Sequence, residues 1–242
     1  MSEFRKHSRV LVAHKGETHR GRITKVLSRT KCRVVTDTGE RLVVSARYLR
    51  NSPDRVLILE TPLSKRSLKH ERTYGPMVQR WLSAYDVKTV YERVHSVSDL
   101  HGFLQKRGAN IATRVIQIIC HGTHKGGNTT LNLTFEKLDL VDNAELFKGL
   151  DGKILIFSCC SVGANRRAME NIKRVSNASA VIAYRRIVWD CYSNICEALL
   201  FDRIIASRTP PVQIVDKIND ALDGMNIWVG SRKPKHPALV CY

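Results

Sequence analysis

The chain has 242 residues, 43% of them hydrophobic and 26% charged, with 40 Lys and Arg against 22 Asp and Glu for a formal net charge of +18. That length suits one ordinary domain plus a small module, and the balanced composition excludes collagen-like, coiled-coil and low-complexity classes. No apolar run approaches the roughly 20 residues of a membrane span, and the opening MSEFRKHSRV lacks the apolar stretch of a signal peptide, so no membrane association and a reducing cytoplasm are expected.

Residues 1–52 read as short strands. Arg9–Ala13 is apolar and β-branched, and Gly21–Leu27 and Cys32–Thr36 alternate. Asp37-Thr38-Gly39-Glu40 forms a turn before another strand at Arg41–Ser45. This segment carries 13 Lys and Arg against 4 Asp and Glu, half of the net charge. Such a surface favours an acidic partner or nucleic acid. Its only aromatic residues are Phe4 and Tyr48, which argues against base-stacking recognition of single strands. The rhythm of RGRITKV followed by CRVVTDTGERLVV resembles the SH3-like, Tudor-like and KOW-like barrels, which implies a small all-β barrel over 1–52.

Asn51-Ser52-Pro53-Asp54 breaks the pattern and sets the boundary of a second domain, 53–242. Arg55–Glu60 is an apolar run suited to a strand buried on both faces. Ser64–Arg72 is basic and poor in apolar anchors, which predicts a mobile loop. A helix is expected near Pro76–Ala84, with the proline in its first turn, then a strand over Val87–Val94. Ser98-Asp99 would cap a helix over Leu100–Lys106. Arg114–Cys120 is a strongly apolar strand ending in His121-Gly122, and Lys125–Leu133 a hairpin. A short helix at Ala144–Phe147 precedes the strand Lys153–Phe157, which ends in Ser158-Cys159-Cys160. Helices over Gly163–Val175, Tyr192–Ala206 and Val212–Leu222 alternate with strands at Ala178–Tyr184 and Ile227–Val229. This alternation predicts an α/β domain, a mostly parallel sheet flanked by helices on both faces.

Open parallel sheets place their ligand sites at the carboxyl ends of strands. Two such ends carry nucleophile chemistry, Ile118-Ile119-Cys120-His121-Gly122 and Phe157-Ser158-Cys159-Cys160-Ser161-Val162-Gly163. A thiol becomes a strong nucleophile only as thiolate, and a neighbouring imidazole can take its proton and later return it to a leaving amine. The 38 residues between His121 and Cys160 allow the two strands to lie side by side. Adjacent Cys159 is a rival nucleophile and His124 a rival base. The seven cysteines include no CxxC pair, and neither GxGxxG nor GxxxxGK[ST] occurs, so no metal and no cofactor are expected.

An apolar strand ending in His-Gly, followed by one ending in Ser-x-Cys-x-x-Gly, resembles the caspase-like cysteine peptidases, in particular their bacterial CHAT-type branch. The resemblance covers roughly 55–230 and also takes in AVIAYRRIVWDCYSNICEALLF. It implies a cysteine endopeptidase with His121 as general base, Cys160 as nucleophile and the backbone N–H groups of Gly122 and Cys160 as oxyanion hole. Where that branch usually has Ala before its nucleophile, this chain has Cys159. The resemblance also implies that Tyr184–Asp190 lines the substrate groove. There Asp190 favours cleavage after a basic residue, while Arg185 and Arg186 argue the other way. Relatives act on other proteins, often in bacterial defence or signalling, and some await an activating protease or regulator. The competing reading is a basic nucleic-acid- or protein-binding scaffold with an inactive caspase-like domain.

Overall fold

The computed structural model describes Phe4, Lys6 and residues 8–51, 55–63, 73–85, 87–206, 209–228 and 236–242. It divides into two compact units, Met1–Arg55 and Val56–Tyr242.

In the first unit five strands, β1 (Arg9–His14), β2 (Glu17–Ser28), β3 (Lys31–Thr36), β4 (Arg41–Ser45) and β5 (Leu49–Asn51), form an antiparallel sheet in the order β4-β3-β2-β1-β5. The β1–β2 connection is Lys15-Gly16, both with positive φ (50° and 82°), the backbone that a tight two-residue hairpin requires. Alternation puts Val10, Val12, Ile23, Val34, Leu42 and Val44 in one core, while Arg33, Arg41 and Val43 face solvent. A turn at Ala46–Tyr48 returns β5 to β1, and the arrangement fits a small barrel. Arg9 clamps Asp37 through two hydrogen bonds of 2.7 and 2.8 Å.

The second unit is built on a mostly parallel six-stranded sheet. Its strands are β6 (Arg55–Glu60), β7 (Lys88–Arg93), β8 (Thr113–Ile119), β12 (Ile154–Ser158), β13 (Ala180–Tyr184) and β14 (Leu239–Cys241), in the order β14-β13-β12-β8-β6-β7. Strands β8, β12 and β13 run parallel, and β14 lies antiparallel on β13. Continuous apolar runs in β6, β8, β12 and β13 are explained by helices on both faces. Helices α2 (Val97–Phe103) and α3 (Arg166–Ser176) cover Leu57, Leu59, Ile116, Ile118, Leu155 and Phe157. Helices α1 (Gly75–Ser83), α4 (Asp190–Ala206) and α5 (Pro211–Gly224) cover Val56, Ile58, Val115, Ile119, Ile154 and Ile156. A separate small sheet is made of β9 (His121–Lys125), β10 (Asn128–Asn132) and β11 (Lys137–Asp139). No helix among the described residues is long and apolar enough to cross a membrane.

The structure corrects the sequence reading in four places. The hairpin begins at His121 itself, because the Gly126-Gly127 turn pairs β9 with β10 in the register His121↔Asn132 to Lys125↔Asn128. Helix α2 is capped by Ser96, not Ser98: the Ser96 hydroxyl accepts from the Asp99 N–H, and the Asp99 carboxylate accepts from the Ser96 N–H. Ile227 and Trp228 are not strand, and Val229 lies outside the described residues, as does the basic segment Ser64–Arg72. The sheet instead ends with β14, whose Leu239 and Val240 are buried against the core.

Candidate active site

Strands β8 and β12 are paired in the register Phe157↔Ile118 and Ser158↔Ile119, so the chain leaves both at the same level. Cys120-His121-Gly122 and Cys159-Cys160-Ser161 are therefore adjacent. Their contact is close. A Cβ built on Gly122 would lie 2.5 Å from the Cys160 carbonyl oxygen and 3.0 Å from the Cys159 Cβ, so only glycine fits there. Beyond Cys160, Ser161 takes a left-handed conformation (φ 63°), unusual outside glycine. Its N–H donates to the Arg186 carbonyl at 3.0 Å. The bend leads through a single turn at Val162–Ala164 into α3, capped by the Asn165 side chain.

Two adjacent thiols meet opposite environments. Cys159 points into the core, 1% exposed, with its Sγ 3.2 Å from the Cys120 Sγ and 3.4 Å from the Ile118 carbonyl oxygen. Burial, reinforced by Cys120, pushes this thiol well above its ordinary range, which keeps it protonated. Cys160 is partly exposed, and its thiol donates to the Val188 carbonyl at 3.7 Å. Burial thus keeps Cys159 from acting as thiolate, while Cys160 is the one of the two thiols open to a substrate.

His121 is exposed, and its Nε2 lies 2.8 Å from the Leu63 carbonyl oxygen. A carbonyl can only accept, so Nε2 is the donor, and in the neutral imidazole this leaves the lone pair on Nδ1. That is the tautomer a base needs, oriented by a third group. The rival His124 faces elsewhere, with Nδ1 2.9 Å from the Thr129 Oγ1.

Beneath the thiol loop lies a polar cluster. Gln117 donates from Nε2 to Ser158 Oγ (2.9 Å) and Glu197 Oε2 (2.6 Å), and the Tyr184 hydroxyl donates to Glu197 Oε1 (3.2 Å). Glu197, from α4, is 6% exposed, and burial pushes its carboxyl up to about 7. A second buried carboxylate, Glu60 at the end of β6, accepts from the Gly75 N–H (3.0 Å), the Tyr74 N–H and the Tyr91 hydroxyl (2.9 Å). Burial raises its pKa, and those donors oppose the rise. Sequence reasoning missed these groups. A glutamine inside the apolar run Val115–Ile119 and a glutamate inside Ile195–Leu200 were the available signals.

The residues expected to line a substrate groove separate. Arg185 lies against Tyr242, where it opposes the upward push of burial on that phenol. Arg186 donates to the His236 carbonyl. Both guanidinia are engaged by the segment around β14. Asp190 opens α4 and is half-buried, its carbonyl accepting from the Ser193 hydroxyl. Tyr184 is buried. The loop between them exposes Ile187 (69%) and Trp189 (59%) on either side of Val188. Among the described residues no group of three His, Cys, Asp or Glu is placed to hold a metal ion.

No protein-family model matches the chain, and no curated protein matches it. Solved structures similar to it include the Drosophila initiator caspase Dronc, at 11% identity and TM-score 0.48 over 78% of this chain and 78% of that one. They also include pro-sf-caspase-1, at 10% identity and TM-score 0.46 over 78% of this chain and 89% of that one.

Proposed function

We propose that the chain is a caspase-like cysteine endopeptidase in which Cys160 is the nucleophile and His121 the general base. One observation carries this reading. The partly exposed thiol and the imidazole anchored through Nε2 to the Leu63 carbonyl leave two paired strands at one level, and Gly122 is pressed against the Cys160 backbone. In the reaction His121 Nδ1 takes the Cys160 thiol proton, and the thiolate attacks the scissile carbonyl carbon. The N–H groups of Gly122 and Cys160 hold the oxyanion. Collapse of that intermediate expels the amine, which leaves with the proton from His121. Water, deprotonated by the same imidazole, then hydrolyses the thioester and restores the thiol.

A basic residue before the cut fits best. Asp190 stands at the start of α4 on the expected groove loop, while Arg185 and Arg186 are engaged by the segment around β14. Ile187 and Trp189 offer apolar surface to the neighbouring substrate residues. A role in bacterial defence or signalling, in the CHAT-type manner, rests on the sequence resemblance. So does reading the first unit as an SH3-like module.

A peptidyl probe with Arg before a thiol-reactive warhead tests the reading. Labelling should vanish in Cys160→Ala, persist in Cys159→Ala, and exceed labelling by an Asp-bearing probe. Absence of labelling in the wild type, repeated after limited proteolysis to relieve any zymogen state, overturns it. The alternative, a binding scaffold, draws on the charge of the first unit. Salt-sensitive nucleic-acid binding without labelling would favour it.

A further inference from the structure

Behind the thiol loop, the second unit holds an open groove of about 780 Å³. Arg166, Arg167 and Arg174 of α3 line it, with His124 of β9 and Asn171. Its single carboxylate, Glu170, is engaged by Arg166 at 2.7 Å. Arg167 and Arg174 are exposed, and Arg174 donates to the neutral Asn171 amide oxygen at 2.7 Å. The walls are tied together. Asn165 Nδ2 donates to the Gly127 carbonyl (2.9 Å) and the Thr129 hydroxyl (3.0 Å), and His124 Nδ1 meets the same hydroxyl.

We infer that this groove binds the phosphate chain of a nucleotide-sized ligand. Its volume falls in the range of small-molecule sites, roughly 300–1,000 Å³. Guanidinium forks pair with phosphate oxygens two at a time, and Arg167 and Arg174 on one helix match adjacent anionic groups better than an isolated carboxylate. The charged groups of the lining are cationic apart from the engaged Glu170, which suits a phosphate chain, and Val141, Ala164 and Ala168 add apolar surface beside it. This assignment stands apart from the peptidase reading.

The test uses the full chain and a fluorescent ATP analogue carrying a methylanthraniloyl group, at about 150 mM salt to suppress non-specific attraction. Saturable binding is expected, displaced by tripolyphosphate but not by adenosine. The R167E/R174E variant should bind at least about tenfold more weakly, and Arg167→Ala should show part of that loss. Arg33→Glu with Arg41→Glu, exposed on the first unit, should leave binding unchanged. A short single-stranded oligonucleotide that displaces the analogue more effectively than tripolyphosphate identifies the phosphate source as a nucleic-acid backbone. No saturable binding, wild-type affinity in R167E/R174E, or an equal loss in the first-unit variant overturns the assignment.

Discussion

Glu197 shows how one buried carboxyl ties the site to pH. Its ordinary pKa is 4.5, and in the fold it is about 7. Between those values the native protein keeps a proton that the unfolded chain has released. Stability therefore falls as pH rises from about 4.5 to about 7, by about 3 kcal/mol in total, and stays reduced above that. Glu197→Gln keeps the hydrogen-bonding shape and removes the charge. The difference between variant and wild-type urea midpoints should grow across that window in favour of the variant, and a constant difference would show that Glu197 does not titrate there. Of the residues in this region, Cys160 and His121 stood out in the sequence because the proposed pair fits a recognisable frame. Glu197, Gln117 and the Leu63 carbonyl were not visible. Which polar group inside an apolar run meets which partner is decided by helix packing, and a backbone carbonyl has no signature in sequence.

Strand β12 delivers the thiol, and its rigidity comes from side chains on its two faces. Phe157 is fully buried on the α3 side, with its ring 5.7 Å from that of Phe147 in an edge-to-face contact. Phe157→Ala should cost about 4 kcal/mol through lost burial and the cavity left behind. Chemical denaturation would measure that loss, and a cost below about 1 kcal/mol would mean that the strand end repacks freely. Apolar runs made β6, β8, β12 and β13 legible within a residue or two, since strands buried on both faces have no polar alternation to confuse them. Strand β14 escaped because three residues are too short for periodicity, and their strand state depends on pairing with β13. The α2 cap was misplaced by two residues because Ser96, Ser98 and Asp99 all suit a first turn, and only geometry selects Ser96.

At the scale of the whole molecule, each unit has its own core. Val10, Val12, Ile23, Val34 and their neighbours form one that is separate from the two layers around the large sheet. The proposed catalytic residues all belong to the second unit. A protein lacking residues 1–55 should therefore keep probe labelling at Cys160 within about threefold. It should lose much of its retention on a cation-exchange column, since half of the net charge lies in residues 1–52. Loss of labelling in a truncated protein with native far-UV dichroism would mean that the first unit contributes to the site.

The short strand β14 has a consequence for assembly. Sheets present a row of unsatisfied N–H and C=O groups at an open edge, and a second copy of a chain can dock there as an additional strand. In this protein the residues Ile182–Tyr184 of β13 already pair with Leu239–Cys241 of the same chain. With the flanking bonds of Ala238 and Tyr242, that pairing occupies the β13 edge from Val181 to Arg185, so β13 itself is closed to a second copy.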